Sequence, residues 1–347
     1  MARWRRITRI AGISAGAAAA GVGAVITAER LAAHRLRLYP DPEADEPFGK
    51  LRGRELVVLA PDALPLHVEV NGPDDAPVTI IFCHGYALNQ DSWHYQRRDL
   101  AGVARLVFWD QRGHGRSGRA AAQSVTVDQT GGDLDAVIRS VTAESSRVIL
   151  VGHSMGGMTI MALAGQHPEL FGSRVAGVVL IATTAGGLSG PDGLVPGMPS
   201  PLRSVLQQVA PALLTAAAAG RQAALIERGR KASKELELVA TRYMAFGDPQ
   251  ASMTLTEFLE RMIREVPVTV VTGDRDRVVP PQLGAELAAG IPGARLITVP
   301  GAGHAVMLER PDVVDDAITS LLGEIQPGNR PRPSRQPDDG GGVRGVA

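Results

Sequence analysis

An α/β fold, a mostly parallel sheet with helices on both faces, is the class this sequence predicts, and three observations predict it. Six short runs are nearly continuous in β-branched and other apolar residues: VTIIFC (78–83), RLVFWD (105–110), RVILVG (147–152), VAGVVLIAT (175–183), VPVTVVTG (266–273) and ARLITVP (294–300). Strands buried on both faces read this way, whereas strands with one wet face alternate. Amphipathic stretches fall between and after these runs, at 128–144, 155–167, 281–289 and 310–322, as when helices cross over a parallel sheet. Finally, 347 residues of which 44% are hydrophobic suffice for one full core.

Taken in chain order, residues 1–38 form an N-terminal apolar segment outside that fold. Four arginines (Arg3, Arg5, Arg6, Arg9) precede 19 uncharged residues, 10–28, a length that just spans a bilayer. Only five of those 19 are Ile or Val, and the arginine-bearing ERLAAHRLR follows. A cleavage junction after Ala28 would put Ile26 where a small residue is preferred. An uncleaved membrane anchor is therefore expected, making the protein membrane-associated or exported. A cleaved signal, or an Ala-rich surface helix on a cytoplasmic protein, is the alternative.

Residues 39–50, YPDPEADEPFGK, are Pro-rich and acidic and read as a linker. The runs 54–59 and 66–70, divided by APDALP, fit an antiparallel hairpin at a sheet edge. The α/β core then occupies 51–184 and 266–325. The intervening 185–265 opens with AGGLSGPDGLVPGMPSP and continues with Leu202, Val205, Leu206, Val209 and Leu213 at helical spacing, so a helical lid is expected there. Residues 326–347 have the composition of a disordered tail.

Composition narrows the partners. With 36 basic and 36 acidic residues the net charge is zero, so no nucleic acid partner is expected. The single cysteine, Cys83, excludes a disulfide framework and a multi-cysteine metal site; at the end of a buried strand it reads as core.

The pattern G-x-S-x-G occurs twice, as GISAG (12–16) and GHSMG (152–156). In a chain this rich in glycine it arises by chance roughly one time in five, so context decides. A nucleophilic serine needs a sharp strand-to-helix turn that exposes its hydroxyl. Ser154 has it: RVILV runs into the motif and MTIMALAGQH continues as a helix. Ser14 lies inside an Ala/Gly run with no strand before it. Serine also needs a base, and the base an orienting acid. Of eight histidines, His304 in PGAGH stands just after the last strand, at a strand's carboxyl end where chemistry collects in such sheets. The loop TGDRDRVVPP after the preceding strand offers Asp274 and Asp276. Asp276 is far enough along it to turn toward His304, and Asp274 is placed to cap the turn.

With FCHGYALNQDSW, FWDQRGHGRSG, VGHSMGG, TGDRDRVVP and PGAGHAVMLERP in this order, the chain from about 54 to 323 resembles the α/β-hydrolase fold superfamily. Bacterial serine hydrolases of the esterase, lipase and cofactor-free haloperoxidase type are the members it is most similar to. The resemblance implies a catalytic triad of Ser154, Asp276 and His304. It implies an oxyanion hole from the backbone N–H groups of Tyr86, in His84-Gly85-Tyr86, and Met155, the latter at a helix start whose dipole favours negative charge. Asp110, Arg112 and His114 are structural in that pattern. The implied reaction is hydrolysis of a carboxylic ester, with no cofactor and no metal, and the Leu, Val and Met content of the expected lid suggests an apolar acyl or alcohol group. Thioester cleavage, perhydrolysis, carbon-carbon bond hydrolysis or a non-turning ligand receptor are the alternatives on the same fold.

Overall fold

The computed structural model describes residues 43, 45–119, 126–185 and 266–325. The N-terminal segment 1–38 with Ser14, the stretch beyond Ala185 expected to form a lid and the 326–347 stretch expected to be a tail lie outside the described residues.

The apolar runs become eight strands of one sheet: β1 (Arg54–Leu59), β2 (Pro65–Asn71), β3 (Val78–Cys83), β4 (Arg105–Trp109), β5 (Arg147–His153), β6 (Val175–Ile181), β7 (Val268–Gly273) and β8 (Arg295–Val299). Their spatial order is β1-β2-β4-β3-β5-β6-β7-β8. The β1-β2 hairpin is antiparallel at one edge, as is the β2-β4 pairing, and every other pairing is parallel. Six described helices accompany the sheet: α1 (His94–Asp99), α2 (Val127–Val141), α3 (Met155–Gln166), α4 (Pro281–Gly290), α5 (Val306–Glu309) and α6 (Pro311–Ile325).

Strand alternation divides the core in two. Ile81 and Cys83 of β3 point to one face, where Leu134, Val137 and Ile138 of α2 and Ile160 and Leu163 of α3 cover them. Ile80 and Phe82 point to the other, under Trp93, Tyr95, Met307 and Ile318. Helix α2 starts where its sequence requires: Thr126 and Gln129 cap each other reciprocally, each side chain bonded to the other's backbone N–H.

The first described residues, read from composition as linker, are anchored. Phe48 is buried between His94 and Tyr95, Glu46 bonds His94 Nε2 at 2.7 Å, and Tyr95 donates to Glu43. Acidic residues of this stretch meet partners some 50 positions away. Among the described residues no helix is long and apolar enough to cross a membrane.

Candidate active site

The order of the strands fixes where a site can form. From β3 the chain moves to β4 on one side, then to β5 on the other, so a crevice opens between the carboxyl ends of β3 and β5. In the register Cys83 pairs with Gly152. The crevice is thus bounded by His84-Gly85-Tyr86 after β3 and by His153-Ser154 at the end of β5.

Ser154 stands at the N-terminal boundary position of α3, makes no side-chain capping bond and has φ 52° and ψ −117°, a conformation costly for a residue with a Cβ, on the order of 1–3 kcal/mol. The turn is over-determined by its surroundings. Ser154 N donates to Ile181 O at 2.9 Å, and Thr183 Oγ1 donates to the Ser154 carbonyl at 2.7 Å. Glycine is obligatory where strand and helix meet: a Cβ on Gly152 would lie 2.6 Å from the Gly156 carbonyl oxygen, and one on Gly156 only 2.0 Å from that of Cys83. Ser154 and Met155 are half-buried at the crevice, and the Met155 N–H is one of the first-turn amides without an acceptor inside the helix.

His304 and Asp276 are brought together. His304 Nδ1 lies 2.9 Å from Asp276 Oδ2, both groups almost fully buried. The other carboxylate oxygen, Oδ1, accepts from the N–H groups of Val278 and Val279 at 2.8 and 2.9 Å. With Nδ1–H donating to a carboxylate, the lone pair of His304 is on Nε2, the tautomer a general base requires. Asp274 is used differently: its Oδ1 accepts from Gly301 N at 2.7 Å and ties the β7 loop to the β8 loop. Among the described residues the Ser154 hydroxyl makes no hydrogen bond, to His304 or otherwise; in substrate-free enzymes such bonds commonly tighten only when substrate is bound.

The loop after β3 is held by histidines of fixed tautomer. His84 Nε2 accepts from Gln111 N at 2.9 Å, so its Nδ1–H donates to Gly85 O at 2.8 Å. Burial drives the His84 pKa down to about 3 and lowers that of His114, keeping both neutral. His114 packs edge-on to Tyr86 and accepts weakly from Ala87 N. Arg112 is locked by Asp133 and Asp62, and Asp110 accepts from the N–H groups of Gln90 and Arg116, so this turn is scaffold. Burial pushes the Cys83 thiol up to about 12, which leaves it unreactive.

The sequence profile described as the alpha/beta hydrolase family matches residues 80–317. This chain belongs to the alpha/beta hydrolase family. Relatives include the bifunctional esterase/perhydrolase DCH of Acinetobacter calcoaceticus, 28% identical over 278 residues that cover 76% of this chain and 98% of that protein. Similar solved structures include a hydrolase from Pseudomonas aeruginosa PA01, with TM-score 0.59 and 24% identity, covering 78% of this chain and 99% of the other. A thermophilic esterase from Thermogutta terrifontis has TM-score 0.58 and 22% identity, covering 78% and 98%. At such identity these structures establish the fold.

Two features of this alpha/beta hydrolase were not singled out from sequence. His153 Nε2 bonds the main-chain oxygen of His304 at 2.9 Å, and Glu309 Oε2 accepts from Gly303 N at 2.9 Å. The first carries no sequence signal beyond lying in the motif; the second could have been sought in the run GHAVMLE. The one grouping of potential metal ligands among the described residues is Glu55, His67 and Glu69 on the β1-β2 hairpin. Arg116 bridges its two carboxylates at 2.8 and 2.9 Å, so a guanidinium already supplies the positive charge there.

Proposed function

We propose that this hydrolase cleaves a carboxylic ester through a serine acyl-enzyme, with Ser154 as nucleophile, His304 as base and Asp276 as the orienting acid. The observation that carries the reading is the 2.9 Å bond between Asp276 and His304 Nδ1, which leaves Nε2 free to take a proton. On substrate binding the Ser154 hydroxyl turns to Nε2, His304 removes its proton, and Oγ attacks the ester carbonyl. The N–H groups of Tyr86 and Met155 receive the oxyanion, each such donor contributing about 10²- to 10³-fold in rate. His304 returns the proton to the leaving alcohol, and water then repeats the sequence to release the acid.

An apolar acyl or alcohol group fits the Leu and Val content of 202–213. Perhydrolysis is the second reading, supported by the esterase/perhydrolase name of the Acinetobacter relative; hydrogen peroxide would replace water in deacylation. Residues 10–28 are proposed to hold the enzyme at a membrane. Turnover of p-nitrophenyl esters of graded chain length, with and without peroxide, tests the reaction. Hydrolysis rising with acyl length supports the ester reading, and a peracid product supports the second. Absence of turnover on the whole series would count against both.

A further inference from the structure

We propose that His153, the residue before the elbow serine, is a positioning residue that holds the His304 loop in register with the nucleophile through its Nε2–H bond to the His304 carbonyl. The proposal rests on the assignment of Ser154 and His304 above.

The His304 loop is anchored at several points, and most tie it to its own side of the sheet. Gly301 N bonds Asp274, Arg275 N bonds Ala302 O, and Gly303 N bonds Glu309. These fix the loop relative to β7 and α5, not to the strand that carries Ser154. Among the described residues, the bond from His153 Nε2 to His304 O at 2.9 Å is the only hydrogen bond joining the β5 elbow to residues 300–305. The base is therefore held at both ends, its ring by Asp276 and its main chain by the neighbour of the nucleophile.

The chemistry of the site fixes the state of His153. A carbonyl only accepts, so Nε2 must carry the proton and Nδ1 must be bare. That Nδ1 is buried without a hydrogen-bond partner, and a Cβ on Gly85 would lie 2.6 Å from it. The ring is 1% exposed and stands 4.8 Å from the His304 ring, tilted by 56°. An apolar ring of the same shape would fill this space without leaving a lone pair unpaired. What the imidazole adds is the donor on Nε2. Its contact with Gly85 places the same ring against the loop that carries Tyr86, so one side chain touches the base loop and the oxyanion loop from the residue beside the nucleophile. Burial and the adjacent His304 hold its pKa well below the ordinary histidine value, so the ring stays neutral and cannot shuttle protons.

The test compares His153→Phe, which keeps a planar ring, one atom larger, and loses the donor, with His153→Gln, whose amide nitrogen can occupy the Nε2 position. On p-nitrophenyl esters, His153→Phe is expected to lose about 10²-fold in kcat with KM unchanged within a factor of two, the penalty of displacing a catalytic group by about 1 Å. His153→Gln should recover most of that loss at a similar thermal midpoint. A Phe variant as fast as wild type, or a folded Gln variant as slow as Phe, would overturn the role. If His153→Phe does not fold, two-bond ¹⁵N–¹H spectra of the wild type decide: Nε2-protonated His153 supports the proposal, and the Nδ1-protonated form removes it. Ser154→Ala, run alongside, separates the two levels. Full activity there defeats the nucleophile assignment and this proposal together, whereas a dead Ser154→Ala with unimpaired His153 variants defeats the positioning role alone.

Discussion

In the proposed triad, replacing Asp276 by asparagine should nearly abolish turnover without unfolding the enzyme, and the hydrogen bonds say why. Asp276 Oδ1 accepts two backbone N–H groups, from Val278 and Val279, while Oδ2 faces His304 Nδ1. An asparagine must keep its carbonyl oxygen toward the two donors, because turning the NH₂ there would set donor against donor twice. The NH₂ is therefore forced onto the position facing His304, where it can only donate. His304 must answer with a bare Nδ1, which moves its proton to Nε2 and leaves no lone pair for the Ser154 proton. A wrong-tautomer histidine of this kind costs about 10⁴-fold in kcat, or about 5 kcal/mol of transition-state stabilisation. The loop stays anchored, so the thermal midpoint should move by only a few degrees. Steady-state kinetics on a p-nitrophenyl ester, with thermal melting of the same preparation, measures both. An Asp276→Asn enzyme within tenfold of wild type would refute the argument, and so would a variant that loses its activity by unfolding.

Four further outcomes follow, three from the structure and the last from the sequence. Gly156→Ala should destabilise by about 3 kcal/mol or more, since its Cβ would fall 2.0 Å from the Cys83 carbonyl oxygen in a central strand. Gly132→Ala, in α2 with no neighbour closer than 3.8 Å to the new Cβ, should stabilise by about 0.5–1 kcal/mol; melting of the two variants checks the contrast. Asp315, half-buried on α6 and accepting from Gln96 at 3.1 Å, has its pKa pushed up to about 7 from an ordinary 3.8, chiefly by burial. The folded state therefore disfavours the ionised carboxylate, a penalty fully present above about pH 7 and lost as the pH falls toward 3.8. Asp315→Asn should gain roughly 1–2 kcal/mol at pH 8, after allowing for solvent screening, and nothing at pH 3, read as the difference in melting temperature. On the proposal that residues 10–28 hold the enzyme at a membrane, deleting residues 1–38 should raise its share in the soluble fraction on cell fractionation; equal partitioning of the two chains would contradict the proposed anchor.

The strands and the elbow were legible because their constraints are local. A buried parallel strand must be apolar throughout, and a strand-to-helix turn that packs Gly156 against Cys83 leaves no room for a side chain. The hairpin at 54–71 was legible for the same reason, its two runs being separated by a short Pro-containing turn. Asp274 and Asp276 are less distinct in sequence: the two stand two positions apart in one loop, and what separates them is that the first meets Gly301 N and the second His304. The packing of Glu43, Glu46 and Phe48 was not legible from a Pro-rich acidic stretch, because their partners at 94–98 lie far along the chain. Helices α1 and α5 leave no pattern in the sequence, because six and four residues are too short for a helical period to appear. His153 shows the remaining gap, since its bond to the His304 carbonyl joins positions 151 apart in sequence.

The central claim is that Ser154 is the nucleophile activated by His304, and covalent labelling tests it most directly. A fluorophosphonate probe should form one adduct per chain, mapped by peptide mass spectrometry to Ser154. Ser154→Ala should form no adduct, His304→Ala should label far more slowly, and Ser14→Ala should label as wild type. An adduct on any other residue, or labelling that survives Ser154→Ala, would contradict the account.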